Sequence, residues 1–375
     1  MKNSTKDLHI VSFDVPYPPS YGGVIDVYFK IKALYESGIR VHLHCFEYGR
    51  AISDLLARIC DSVNYYKRKT GIRFLFSSIP FIAVTRSNAD LMKNLLKDNY
   101  PILFEGLHCC YHLTDSRLSN RKKLVRTHNI EHEYYSGLAV AEISFFKRLY
   151  FRSEARKLRR FEAVLQKADT LFAISAADCM YLRKKYGKVE LLPAFHPDEK
   201  VKAEPGNGRF AFYHGNLEIA ENSEAALFLI NEVFNDLSIP LIVAGRNPPA
   251  KVLAAVRSNR NTEVKANIST EEIAFLVKQA QINILPTFQA TGIKLKLLTA
   301  LFNGRYCIVN KQMVAGTGLE DLCIVCDSAA QMKKEVLHYF QRSYGSESTS
   351  KRVQILNGEF SNLKNVRVVI SKLSD

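Results

Sequence analysis

The sequence lacks the runs that would set it in a membrane. No stretch approaches the ~18 consecutive apolar residues of a spanning helix, although 47% of the chain is hydrophobic. The opening MKNSTKDLHIVSF passes straight into a strand pattern without the apolar core of a signal peptide. Cytoplasmic residence is therefore expected, with the inner face of the membrane as a peripheral site. Glycine and proline are ordinary, at 18 and 12, and no tract has the composition of a disordered segment. No short repeat and no Asp-x-Asp metal site is visible. The eight cysteines are scattered, which suits reduced thiols in a reducing compartment. The nominal C-x-x-C of Cys323 and Cys326 lies in LCIVC, a buried-strand pattern whose i and i+3 side chains point to opposite faces.

What the chain has in excess is positive charge, +15 over 375 residues. Such a field attracts nucleic acid, acidic membrane or phosphorylated small molecules. There is no recognisable nucleic-acid module, so nucleic acid is not an expected partner. Much of the charge falls in FFKRLYFRSEARKLRRFEAVLQK (145–167), a helical pattern with aromatic and aliphatic residues between the basic ones. It reads as a solvated helix face or as a surface for anionic lipid.

Strand-like and helical runs alternate. LHIVSFD, IRVHLHCFEY, PILFEGLHC, KKLVRTH and DTLFAIS form one series of strands. RFAFYHG, IPLIVAG, TEVKAN, INILPTF, YCIVN and CIVC form a second. Between them PAFHPDEKVKAEPGNGR is rich in Pro, Gly and charge, a linker signal. Two β-α-β series predict an α/β protein of two parallel-sheet domains, each covered by helices on both faces. The expected bounds are 1–195, a linker over 196–208, 209–347, and a C-terminal helical segment over 348–375 that packs back on the first domain.

In RTHNIEHEYY, His128, Glu131 and His132 have the spacing of an H-x-x-E-H zinc helix. KKLVRTH is a strand, however, and Asn129 suits the N-cap of the next helix. His128 then precedes the helix that holds His132, and no shared metal face results. In open α/β sheets ligands gather at the carboxyl ends of strands. His128 is one such end and Glu105, with Gly106 and His108, another. Gly22 and Gly23 let backbone approach a ligand ahead of a helix. In the second series Gly215 and Asn216 end a strand, Arg246 ends the next, and Gly292 opens a helix carrying Lys294 and Lys296. A helix N-terminus with ammonium groups suits a diphosphate.

In this order and spacing PYPPSYGG, THNIEHEYY, ADTLFAISAADCMYL, YHGNL with NSEAALFL, VAGRNPP and PTFQATGIKLKLLTALFNGRYCIVN resemble the GT-B glycosyltransferases, specifically the large retaining group that uses nucleotide-sugar donors (glycosyl transferases group 1, family 4-like). The resemblance spans nearly the whole chain. It implies two Rossmann-like domains facing each other across a cleft. It also implies a hexosyltransferase-type transfer, with retained anomeric configuration, from a nucleoside-diphosphate sugar to a glycan or lipid-linked acceptor. No cofactor or metal is implied. Gly22 and Gly23 would then border donor phosphate and acceptor, His128 the transferred sugar, and Lys294, Lys296 and Arg246 the diphosphate. The chain departs from the pattern at Thr291 and Thr299, where many members carry glutamates, and at Asn216 and Glu221, where an Arg and a Lys are common. Asn222 and Ala225, by contrast, match branches that read N-x-x-A. Two other readings stay open on sequence: a catalytically weakened member that acts as a binding partner, and a nucleotide-sugar epimerase.

Overall fold

The computed structural model describes residues 6–142, 144–288 and 295–373. The chain forms two compact units, Met1–Pro197 with Phe360–Asp375, and Asp198–Glu359.

The first unit is built on β1 (Asp7–Ser12), β2 (Arg40–Glu47), β3 (Ser62–Lys67), β4 (Ile102–Glu105), β5 (Lys123–Arg126), β6 (Thr170–Ala173) and β7 (Val189–Leu191). They form one sheet in the order β3-β2-β1-β4-β5-β6-β7, every pair parallel. Its helices are α1 (Gly22–Glu36), α2 (Phe81–Val84), α3 (Ala89–Leu95), α4 (Glu131–Ala141), α5 (Phe145–Phe161) and α6 (Ala176–Tyr186). Because successive strand residues point to opposite faces, the central strands feed two cores. Val11, Phe104 and Val125 pack with Leu91, Leu158 and Leu182. Ile10, Leu103 and Leu124 pack with Val27, Ile31 and Leu34. Burial on both sides explains why these strands read as continuous apolar runs. The order reverses at β1, which pairs with both β2 and β4. Loops leaving β1 and β4 therefore diverge, and that is where a crevice opens.

The second unit repeats the plan. β8 (Ala211–His214), β9 (Leu241–Gly245), β10 (Thr262–Ala266), β11 (Ile282–Leu285), β12 (Tyr306–Val309) and β13 (Ile324–Val325) lie in the parallel order β10-β9-β8-β11-β12-β13. Around them are α7 (Ala220–Phe228), α8 (Ala250–Ser258), α9 (Thr270–Gln279), α10 (Leu295–Asn303), α11 (Lys311–Val314), α12 (Ala329–Phe340) and α13 (Ser346–Glu359). The last helix, α14 (Asn362–Ser371), belongs to the first unit. Its Val366 and Val369 join the core beside α1.

Three details differ from the expectation. The strands β3 and β7 were not anticipated; both are sheet edges, where half-burial leaves little apolar signal. The return to the first unit begins at Phe360 rather than near 348, since α13 stays with the second unit. There the guanidinium of Arg352 donates to the carbonyls of Leu301, Gly304 and Arg305 at the end of α10. Asn129 is not the N-cap of α4: Ile130 holds that position without a side-chain bond, and the Asn129 side chain instead hydrogen-bonds the Glu131 carboxyl.

One sheet face carries a buried histidine network. The His9 Nδ1 and His44 Nε2 atoms lie 2.8 Å apart, His9 Nε2 is 2.9 Å from Asp98, and His44 Nδ1 is 2.8 Å from the Tyr66 hydroxyl. His42 lies beside them, its Nε2 3.0 Å from Asp7. Burial, helped by His9, His42 and Lys97, pulls the His44 pKa from 6.5 to about 3. A base depressed on folding stabilises the fold above its unfolded pKa. That contribution is lost as pH falls from 6.5 toward about 3. Urea midpoints, followed by circular dichroism, should therefore fall as the solution is acidified from neutrality. His44→Gln should be less stable at neutral pH but show a shallower decline; an unchanged slope would remove His44 as its source.

Candidate functional site

In the first unit the strand ends at the β1–β4 switch hold a buried ionic cluster. α1 brings Asp26 and Lys30, one turn apart, inward rather than to solvent. β4 ends in Glu105, β5 ends in Arg126, and His128 follows two residues later. Asp26, Lys30, Glu105 and Arg126 are at most 1% exposed. Lys30 Nζ donates to both Glu105 oxygens at 2.8 and 2.9 Å and to Asp26 at 3.2 Å. Arg126 donates to Asp26 at 3.3 and 3.4 Å and to the carbonyls of Leu192 and Pro193. The Phe195 amide donates to Asp26 at 2.7 Å. His128 sits between the carboxylates, with Nε2 3.0 Å from Glu105 and Nδ1 3.6 Å from Asp26.

Burial alone would raise the pKa of both acids. The charges of Arg126 and Lys30 outweigh it at Asp26, and Lys30 together with the His128 hydrogen bond does so at Glu105, so both stay ionised. Ligand atoms of Asp26, Glu105 and His128 lie within 4.8 Å of one another, a distance that would admit a metal ion. Two cations already balance the two carboxylates, however, and a dication would have to displace or sit against them. Sequence reasoning named Glu105 and His128 but missed Asp26, Lys30 and Arg126. Arg126, a charge inside the apolar strand KKLVRTH, was the signal available.

Around this cluster lies a second, less satisfied layer. The loop after β1 is held by Asp14, which accepts from the Tyr21 hydroxyl at 2.8 Å and the Val15 amide at 2.9 Å. Arg86 donates to the Phe13 carbonyl. Gly22 and Gly23 open α1 next to that loop. A side chain at Gly23 would run into the Phe13 ring, whose Cζ is 2.7 Å from where its Cβ would stand. The Phe13 ring packs edge-on to His128, centroids 5.4 Å apart. Beyond it His108 Nδ1 and Glu131 Oε1 stand 3.8 Å apart, neither with a hydrogen-bond partner among the described residues. Burial pushes the Glu131 carboxyl up to about 8, so it is mostly protonated at neutral pH. The zinc-helix reading fails on position. His128 lies outside α4 and faces Glu105, while His132 lies inside α4, with Nδ1 3.0 Å from Glu162.

In the second unit Lys296, on the first turn of α10, donates to Asn222 Oδ1 at 2.9 Å and lies 5.1 Å above the Tyr213 ring. Asn222 in turn donates to the Asn216 carbonyl at 2.9 Å. It packs on Gly215, where an added Cβ would come within 3.0 Å of the amide. The structure thus brings Gly215, Asn216 and Lys296 together at the end of β8. Glu221 accepts from the Thr287 hydroxyl at the end of β11. His214, buried, is drawn down to a pKa of about 3 by desolvation and by Lys296, and so stays neutral. Arg246, at the end of β9, is exposed. Thr299 lies within α10, half-buried. Thr291, Gly292 and Lys294 fall outside the described residues.

Removing Lys30 tests the ionic cluster. Lys30→Met leaves Glu105 buried without its nearest cation and should cost about 3–5 kcal/mol. The double variant Lys30→Met, Glu105→Leu should recover much of that loss in urea unfolding. A single variant as stable as the wild type would mean that water, not Lys30, satisfies Glu105.

No family model matches the chain. It is 26% identical over 362 residues to an uncharacterized 44.6 kDa protein in the cps region of Klebsiella pneumoniae, covering 90% of this chain and 91% of that one. Among solved structures it is similar to Anabaena HepE in complex with UDP and glucose, at 10% identity and a TM-score of 0.69, over 98% of this chain and 99% of HepE. It is equally similar to S. aureus TarM in complex with fondaparinux, α-GlcNAc-glycerol and UDP, at 10% identity and a TM-score of 0.69, over 98% of this chain and 100% of TarM. These structural neighbours are GT-B glycosyltransferases, and they match the chain over its full length. Two parallel sheets of seven and six strands, matched over nearly the whole chain by these neighbours, give this chain the GT-B fold.

Proposed function

We propose that the chain is a retaining glycosyltransferase that moves a sugar from a nucleoside-diphosphate donor to a glycan or lipid-linked acceptor. The observation that carries this reading is the rim of the second unit, where Arg246 and Lys296 stand at the ends of β9 and β8 in a fold shared with proteins solved with UDP. Lys296 is held by Asn222 and Tyr213. A charge fixed in advance stabilises a leaving diphosphate without reorganising during the reaction.

Chemically, the step breaks the bond from the anomeric carbon to the donor phosphate and forms one from the same carbon to an acceptor oxygen. The leaving diphosphate gains charge as the bond lengthens. Cations at the rim oppose that charge, and loss of one such contact typically costs ~10²–10³ in rate. In a front-face route the departing phosphate takes the acceptor proton, so no enzyme nucleophile is required. His128 has both ring nitrogens turned to carboxylates. It is read here as the residue that fixes the floor of the first unit's crevice, not as a proton carrier. The protonated Glu131 carboxyl lies nearby, its Oε1 3.8 Å from His108.

The first experiment is thermal unfolding with UDP, GDP, ADP, dTDP and NAD in turn. A ligand at 100 times its dissociation constant should stabilise by ~2.7 kcal/mol. A shift with one nucleoside diphosphate, followed by transfer from its sugar with the configuration kept in the product's NMR spectrum, is the expected result. Binding without turnover would favour a catalytically weakened partner protein, and donor turnover without a glycoside product an epimerase. Arg246→Ala gives the cleaner variant, because that side chain is exposed. Its stability should stay within about 0.5 kcal/mol of the wild type, while turnover falls ~10²-fold. Undiminished turnover would take Arg246 out of the diphosphate site.

A further inference from the structure

We propose that the first unit binds the phosphate headgroup of an anionic lipid in a cavity between α4 and α5, with an apolar rim entering the bilayer beside it. The cavity, of about 360 Å³, is lined by Ser136, Ala139 and Val140 of α4 and by Arg152, Arg156 and Arg159 of α5. The three arginines recur at i, i+4 and i+7, one stripe of the helix. None has a carboxylate or any other polar partner among the described residues. α5 buries its opposite side through Glu154 and Leu158, while the buried Ala155 floors the cavity beside the arginines. Three guanidinium groups left unpaired around one cavity are complementary to a phosphate or phosphodiester, which takes forked N–H donors well.

The same stripe continues toward the start of α5 as Leu149 and Phe145, and here its character changes. Phe145 is 69% exposed, Phe146 81%, Leu149 54%, and Val140 across the cavity 84%. A free phosphate ligand would leave these four apolar side chains in water for no gain. A headgroup at a bilayer surface places its phosphate against the arginines and its acyl chains against the rim, the arrangement of interfacial amphipathic helices. The chain's charge of +15 adds long-range attraction to an anionic leaflet. Among the described residues no helix is long and apolar enough to cross a membrane, so the contact would be one of surface docking. The inference stands apart from the sugar-transfer reading, since neither the cavity nor its rim uses a donor-site residue.

The test is co-sedimentation of the full chain with phosphatidylcholine vesicles, with and without phosphatidylglycerol, at low and high salt. The wild type should pellet with the phosphatidylglycerol vesicles and be released by salt. The R152Q/R156Q/R159Q variant should bind roughly a hundredfold more weakly, from the usual contribution of a basic residue near an anionic surface. The F145S/F146S variant should also lose vesicle binding, while its thermal stabilisation by soluble glycerol phosphate matches the wild type's. All five side chains are exposed, and circular dichroism will confirm that both variants fold. A wild type that stays in the supernatant at low salt overturns the proposal, as does an arginine variant that pellets like the wild type. Stabilisation by glycerol phosphate without vesicle binding would assign the cavity to a free phosphate ligand. Retention of single-stranded RNA, unaffected by F145S/F146S, would assign the stripe to nucleic acid. Because vesicle binding needs no sugar donor, these outcomes are independent of whether transfer is observed.

Discussion

The geometry of the first unit depends on charge neutrality inside a dry strand-end layer. Asp26, Lys30, Glu105 and Arg126 are withdrawn from water together, and each ion so buried carries a desolvation cost of several kcal/mol. That cost is offset only because two acids meet two bases at hydrogen-bond distance and backbone groups of Leu192, Pro193 and Phe195 take up remaining valences. The arrangement ties α1, β4, β5 and the segment after β7 to one point. His128, wedged between the carboxylates, inherits its orientation from them. A hydrogen bond from Nε2 to Glu105, with Nδ1 turned toward Asp26 at 3.6 Å, sets that ring at the strand ends.

The second unit handles charge differently. Lys296 is tethered through Asn222 to the backbone of Asn216, so its position is set before any ligand arrives. Arg246 stands exposed at the neighbouring strand end. The two strand ends thus differ in how their cations are held, one by neighbouring side chains and the other standing in solvent. The neutral His214 beneath Lys296 adds no competing charge.

The fold was legible where strands are buried on both sides. Ile10, Val11, Leu103, Phe104, Leu124 and Val125 each serve a core, so their apolar runs stand out from the helices between them. The edges β3 and β7 were not legible, because an edge strand has one neighbour and little need of continuous apolar residues. At the candidate site, Glu105 and His128 could be named because they end recognisable strands. Asp26 and Lys30 could not, since an i, i+4 acid–base pair on a helix looks the same in sequence whether it faces solvent or a core. The Asn129 cap was misjudged because the cap falls one residue later, at Ile130, and the Asn129 side chain pairs with the Glu131 carboxyl instead of accepting from the first-turn amides.

The return of the chain to its first unit bears on how the protein is made. Val366, Val369 and Leu373 fill part of the core against α1, yet they are synthesised after the whole of Asp198–Glu359. The second unit is continuous in sequence and can close as soon as it has left the ribosome. The first unit, though begun earlier, has to wait with the part of its core that α14 covers left open until α14 emerges. In this protein the order of synthesis is therefore not the order of completion. The interval between the two is when the nascent chain is most open to aggregation, and so when a chaperone would have most to protect.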